Sequence, residues 1–398
     1  MLARAGNPAM LESGCSTMSD KPIGLDIFRT ALPMRTFEHA AAKRSLAESI
    51  VVRLRTAEGR VGWGETLPRE YVTGETLETV RQDIEQIFWP IVRGCRDLKQ
   101  VRQAVVEMPF QQNGRVVTAA RCAVELATIQ AFGLWAGESR VPPEAWPRVT
   151  GVIGSSDPGK TARKLRLMRW YGLRSFKLKL GMGEDVDQAN LQAVHRQLSK
   201  KLASAQYDLR VDANSAWKYA EVPDRVKELK ALGVCAVEQP CKARPSSFVE
   251  LSMKCALPLI ADESCLTEDD AEVLLGSEGH VWLNVRISKN GGLAAARRLA
   301  GLANRDGVPY VLGCMVGESG ILSTAQRALL SAGPTPLMLE GNYGRLLLKD
   351  DLTDPSPRFG YRGRLCALPK AGWSIGRLDP PVHGARLRRY GEHLASLE

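Results

Sequence analysis

Hydrophobic and polar positions alternate through much of the stretch from Leu25 to Glu65. In Ser49 to Thr56 (SIVVRLRT) the alternation is regular, AEGR supplies a turn, and VGWGE returns, which predicts a β-hairpin. The spacing then changes. Residues 76–92 (TLETVRQDIEQIFWPIV) and 116–137 (VVTAARCAVELATIQAFGLWAG) carry apolar side chains at helical intervals, with Gly137 closing the second helix. An α+β domain is expected over residues 23–147, preceded by a disordered lead at 1–22.

From Arg148 onward short apolar runs alternate with amphipathic stretches such as GKTARKLRLMRWYG and DDAEVLLGS, the pattern of parallel β/α units. Eight runs qualify as strands: VTGVIG, SFKLKL, DLRVDA, VCAVEQ, PLIADE, VWLNVRI, PYVLG and PLMLEG. Eight units within residues 148–346 match a (β/α)8-type barrel, a modified TIM barrel, so the fold class is α/β with an α+β cap. The Gly- and Pro-rich tail, 347–398, is expected to pack back on the capping domain.

Composition narrows the function classes. At 398 residues and 44% hydrophobic, the chain can bury two domains' worth of core, and no apolar run is long enough to span a membrane. The first twenty residues lack the apolar core of a signal peptide, and nine scattered cysteines without CxxC pairs point to reduced thiols; a cytoplasmic location is expected. The net charge of +10 is spread along the chain, apart from Arg386, Arg388 and Arg389, and aromatics supply only 6%. That distribution favours a surface attracting anionic substrates over a nucleic-acid partner.

In such a barrel, side chains at the C-terminal ends of strands face the active site. Five charged residues stand there in succession, Lys179, Asp212, Glu238, Asp262 and Lys289, at intervals of 33, 26, 24 and 27 residues. Three carboxylates on adjacent strands would repel one another unless a hard cation joined them, and oxygen-only ligands favour magnesium, with manganese as the alternative. Lys177 and Lys179 alternate within one strand and so share its inner face, where each ammonium is expected to lower the other's proton affinity.

KLK (Lys177–Lys179), VDAN (Val211–Asn214), VEQP (Val237–Pro240), ADES (Ala261–Ser264) and SKNGG (Ser288–Gly292), in that order, resemble the muconate-lactonizing (muconate cycloisomerase) subgroup of the enolase superfamily, and GWGE (Gly62–Glu65) resembles its capping hairpin. The resemblance implies Asp212, Glu238 and Asp262 as metal ligands, Lys179 as base, and Lys289 as acid or cation on the opposite face. Lys177, Asn214, Glu263 and Glu318 would support substrate or ligands. Loops at Met34–Ser45 and Pro68–Thr73 would close over substrate, with Arg69 and Tyr71 as contacts. Dipeptide epimerases of the subgroup carry Asp-x-Asp at the eighth strand, where this chain reads EGNYG (Glu340–Gly344).

The implied activity is removal of a proton α to a carboxylate, giving a metal-stabilised enolate. A muconate cycloisomerase-like isomerase is the leading expectation. The alternatives are a racemase or epimerase of an N-acylamino acid or dipeptide, and an o-succinylbenzoate synthase-type dehydratase; an inactive metal-binding homologue is the reading from a different class. The partner is a small carboxylate, with no nucleic acid or membrane, and a homo-oligomer is left open.

Overall fold

The computed structural model describes residues 20–39, 42–135, 141–276, 280–366 and 382–398. Strands β1 (Pro22–His39), β2 (Ala42–Thr56) and β3 (Val61–Thr66) form an antiparallel sheet. Alternation places Leu25 and Ile27 of β1 and Ile50, Val52 and Leu54 of β2 in the main core. Val51, on the other face, joins Leu32, Met34, Ala47, Ile321 and Leu352 in a second buried cluster.

In register, Gly62 and Gly64 of β3 lie opposite Leu54 and Val52. A Cβ at either glycine would run into the carbonyl oxygens of Ala127 and Ala123, on the helix Thr118–Ala131. The glycines therefore let the hairpin lie directly on that helix. A short hairpin, β4 (Gln111–Gln112) and β5 (Arg115–Val116), precedes it.

The eight expected barrel strands are present as β6 (Gly151–Ile153), β7 (Ser175–Lys179), β8 (Asp208–Asp212), β9 (Ala236–Glu238), β10 (Leu259–Ala261), β11 (Val281–Val285), β12 (Tyr310–Leu312) and β13 (Met338–Leu339). They pair in sequence order, all parallel. A bridge between Val149 and Leu339, with Thr150 N donating to Leu339 O at 2.8 Å, joins the two edges of the curled sheet. The chain's last strand, β14 (Gly391–Leu397), returns to pair antiparallel with β1, so the first sheet contains both ends of the described chain.

Several local expectations change. The helix starting at Thr118 ends at Ala131, where Gly133 takes a left-handed φ of 59° and Leu134 N donates to Ile129 O. Gly137 lies outside the described residues. Residues 77–93 are helical but pass through a π turn at Ile84–Phe88, just before Pro90, which has no N–H to continue the ladder. Of the lead, residues 1–19 lie outside the described residues, but Asp20 is buried against Arg60 and Pro22 already opens β1.

The two capping loops differ as well. Met34–Ser45 is largely the far end of the β1–β2 hairpin, and Glu70–Thr73 is a helical turn. Arg69 is buried and donates to the carbonyls of Pro68 and Glu48, so it serves the packing of that turn; Tyr71 is exposed. Among the described residues no helix is long and apolar enough to cross a membrane.

Candidate active site

The parallel register sets Lys179 beside Asp212 and Asp212 beside Glu238, so three of the expected charges are lateral neighbours on β7, β8 and β9. Lys179 Nζ donates to Asp212 Oδ2 at 2.5 Å and to Asn214 Oδ1 at 3.0 Å. Asn214 sits just past the strand at φ 46°, a left-handed conformation that asparagine tolerates, and its N–H donates to Asp212 Oδ1 at 2.9 Å. Burial would raise the Asp212 carboxyl, but Lys179 and Lys177 hold it below its ordinary value.

Lys177 departs from expectation. Its ammonium is 3.0 Å from Glu238 Oε1 and 2.7 Å from Glu340 Oε2. Burial alone would lower its pKa, yet Glu238, Glu340 and Asp212 raise it. The lysine pair therefore does not release a proton at Lys177, because three carboxylates outweigh one neighbouring cation. Glu340, at the end of β13, also accepts from Arg210 Nη2 at 2.7 Å; although burial opposes it, Lys177 and Arg210 keep it ionised.

The cation facing this centre from β11 is Arg286. Its Nη2 donates to Glu238 Oε1 at 3.2 Å and closely to Asp262 Oδ2. Its pKa rises well above the ordinary value: burial would lower it, but Asp262, Glu238, Glu263 and Glu340 prevail. Lys289, expected to face the metal site, is fully buried and donates to the backbone carbonyls of Asp262 at 2.7 Å and Asn284 at 2.8 Å. It also lies 3.1 Å from Asp262 Oδ1, which receives no hydrogen bond.

Glu263 is buried with Oε2 unpartnered; burial first, then Asp262 and Asp212, push its carboxyl up to about 8. Glu318 accepts from Met315 N at 2.7 Å and is pushed up to about 8 by burial and by Glu65.

Three residues were not foreseen. Gln239, in the left-handed region at φ 35°, accepts from Asp262 N and Ser264 N and donates to Ser264 Oγ, fastening β9 to the end of β10. Asn284 Nδ2 donates to Glu238 Oε1 at 2.8 Å. Arg286 follows Asn284 by two residues and so shares its inward face. The periodicity that paired Lys177 with Lys179 was the signal for both.

A cavity of about 510 Å³ opens on this centre. Lys177, Lys179, Arg286 and Glu340 line its inner end, and its walls are largely apolar, with Val152, Leu173, Val316, Tyr343, Leu347 and Phe359 among them. Among the described residues, no three acidic, histidine or cysteine side chains converge closely enough to hold a metal as they stand, because Arg286 and Lys177 lie among the carboxylates.

A (β/α)8 barrel with alternating lysines and three successive strand-end carboxylates defines a class of enzyme scaffold. The sequence model described as "Enolase C-terminal domain-like" matches residues 160–376, more than half of the chain, and the chain belongs to that family. An L-amino acid-D/L-Glu epimerase of Francisella philomiragia is 28% identical over 74% of this chain and 83% of its own. An N-succinyl-L-Arg/Lys racemase of Bacillus cereus is 26% identical over 77% of this chain and 82% of its own. The solved muconate lactonizing enzyme of Pseudomonas fluorescens superposes with a TM-score of 0.81 at 25% identity, covering 94% of this chain and all of that one.

Proposed function

We propose that this chain is an isomerase acting at the carbon α to a carboxylate, with epimerisation of an amino-acid derivative as its reaction. The names of its curated relatives favour epimerases and racemases over the cycloisomerase expected from the strand motifs. The observation that carries the proton-abstraction step is Lys179, an amine that lines the apolar cavity while Asp212 and Asn214 fix its direction.

A hard divalent cation, magnesium or alternatively manganese, fits Asp212, Glu238 and Asp262. The donors are all oxygen, and beside them Glu263 Oε2 is buried without a hydrogen-bond donor, while Asp262 Oδ1 has the Lys289 ammonium 3.1 Å away in place of a hydrogen bond. When bound, the ion supplies positive charge to the substrate carboxylate and so acidifies the α-proton. Arg286, which now holds two of the three carboxylates, is the side chain that must yield to it.

The rest is done by the chain itself. As the neutral amine Lys179 takes the α-proton and becomes an ammonium, Asn214 keeps that nitrogen in place, and Lys177 stays charged as the strut between Glu238 and Glu340. For epimerisation the proton returned to the opposite face comes from a water admitted to the cavity on the Arg286 side, where the guanidinium stabilises the enolate's charge. Because Glu340 is already spent on Lys177 and Arg210, no acid at the eighth strand awaits a substrate ammonium, which favours an N-acylated substrate over a free dipeptide.

A second reading, cycloisomerisation, is favoured by one observation: the cation that follows β11 on the cavity wall is a guanidinium, Arg286. A guanidinium stabilises charge but does not readily carry a proton to the opposite face. Incubation in deuterated buffer with a panel of N-acyl amino acids, dipeptides and cis,cis-muconate decides between them. Epimerisation predicts deuterium in both enantiomers of an N-acyl amino acid. Lactone from muconate, with no scrambled enantiomer, would establish the second reading, and no α-exchange with any member would refute both.

A further inference from the structure

The end of the barrel remote from Lys179 carries a cluster of four exposed arginines. Arg148 stands ahead of β6 and Arg174 immediately ahead of β7, so both lie at the N-terminal mouth of the sheet, where the Thr150 and Ser175 hydroxyls share a hydrogen bond of 2.9 Å. Arg362 and Arg364 sit on the loop Phe359–Leu365, whose ends are joined by an antiparallel bridge and by Gly360 N donating to Arg364 O at 2.7 Å. That loop is docked on the same mouth. Val149 N donates to Gly363 O and Arg362 N to Tyr171 O, each at 2.9 Å, and Arg148 Nη1 donates to Arg362 O at 3.4 Å.

No carboxylate balances these charges. Among the described residues none of the four arginines is in an ion pair, and Asp208, whose N–H donates to Arg174 O at 3.0 Å, pairs its carboxylate with none of them. Partial desolvation, and then the charges of Arg364, Arg362 and Arg174, lower the pKa of Arg148. Other surface arginines of this chain, such as Arg53, Arg60, Arg115 and Arg225, lie against acids. Arg362 is also held at φ 61°, a left-handed conformation that glycine or asparagine adopts more easily. Gly172, at φ 87°, leaves room for it, since a Cβ there would meet Arg362 Cγ. The backbone therefore brings like charges together against both their repulsion and a local strain, an arrangement that a bound anion compensates.

We propose that Arg148, Arg174, Arg362 and Arg364 form a binding site for a pyrophosphate group, free or carried by a nucleotide, at the mouth of the barrel opposite Lys179. A guanidinium fork matches phosphate oxygens in pairs, and a multivalent anion answers several cations at once where a single carboxylate would leave most of them unpaired. The ligand ties the starts of β6 and β7 to the loop Phe359–Leu365, beside the seam where Val149 bridges to Leu339. Binding therefore fastens the two edges of the curled sheet, and the folded chain gains stability with ligand concentration. The site is independent of the reaction assigned to the Lys179 end.

The test applies calorimetry and thermal unfolding to the full chain, at fixed ionic strength and without added magnesium, which would complex the probes. Pyrophosphate, ADP, sulfate and hexaglutamate are compared. The wild-type protein should bind pyrophosphate saturably and at least about tenfold more tightly than sulfate, and its unfolding midpoint should rise with pyrophosphate concentration. Arg362→Asn, which suits the left-handed backbone, and Arg174→Gln should each weaken pyrophosphate about tenfold, the size of one charge-assisted hydrogen bond. The double variant Arg388→Gln with Arg389→Gln removes two charges from the chain's other arginine cluster and should leave the affinity within about twofold. ADP bound more tightly than pyrophosphate identifies a nucleotide as the carrier, and the reverse identifies the free anion; either result keeps the site. Absence of saturable binding, affinity undiminished in Arg362→Asn and Arg174→Gln, an equal loss in the Arg388 and Arg389 double variant, or hexaglutamate bound in preference to pyrophosphate overturns it.

Discussion

Arg286 and Lys289 stand three residues apart just past the same strand and share Asp262: the guanidinium, on the cavity wall, takes carboxylate Oδ2, whereas the buried ammonium takes the backbone carbonyl and lies 3.1 Å from Oδ1. The two cations are therefore expected to fail differently when replaced. Lys289→Met removes the ammonium from the Asp262 and Asn284 carbonyls and leaves Asp262 Oδ1 without its buried cation, and should destabilise the fold by about 3–5 kcal/mol, as for a broken buried charge contact. Arg286→Lys should change stability far less and should increase deuterium incorporation into the second enantiomer, because an amine on that face can carry a proton. Denaturant unfolding and chiral product analysis read the two effects separately. Equal loss of stability in both variants would contradict the assignment.

Lys179→Ala should reduce α-hydrogen exchange by roughly 10²–10⁴-fold, the range for loss of a general base. Its circular dichroism should match wild type, since Lys179 lines a cavity and does not fill the core. Exchange within tenfold of wild type would assign the base elsewhere.

Asp212→Asn, Glu238→Gln and Asp262→Asn should each weaken magnesium binding by at least about tenfold in calorimetry, because each removes one anionic ligand from a hard cation. Unchanged magnesium affinity in all three would remove the proposed ion from this site.

The buried glutamates set a pH dependence. Glu65 and Glu75 are pushed up to about 7, by burial foremost, and Glu318 to about 8. A carboxyl with a raised folded-state pKa contributes stability that is complete below its unfolded value, about 4.3, and is lost as pH rises through 7 to 8. Asp212 and Glu340 are shifted downward; their contribution is present above the unfolded values and is lost as pH falls toward the folded ones. Unfolding free energy should therefore decline from about pH 5 to pH 8, and Glu318→Gln should flatten part of that decline. A slope unchanged in the variant would show that Glu318 does not titrate there.

The barrel was legible because its strands are short apolar runs, six of the eight ended by a charge (Lys179, Asp212, Glu238, Asp262, Arg286 and Glu340). The carboxylates Asp212, Glu238 and Asp262 and the base candidate Lys179 were legible for the same reason. Arg286 is not marked by SKNGG, which lies beyond the strand; its direction is set within the strand, by the two-residue step from Asn284. The role of Gln239 depends on contacts between strands far apart in sequence. Glu340 could be read from the chain only as a missing Asp-x-Asp; that it is held by Lys177 and Arg210 depends on curling the sheet until β13 comes round to face β7 and β8.

The capping hairpin and the barrel are joined through glutamates that complete each other's helices. Glu65 of β3 accepts from Ser319 N and Oγ at the start of Gly320–Ala332, and Glu125 accepts from Leu293 N and Ala294 N at the start of Leu293–Arg305. Both carboxylates belong to the cap, and both helices belong to the barrel. Grafting a relative's cap onto this barrel to change its selectivity would thus exchange structural caps along with the binding wall. A transplant that preserves Glu65 and Glu125 keeps those helix ends satisfied, whereas one that replaces them trades folding for selectivity. In this scaffold the part free to diversify is narrower than the domain that carries it.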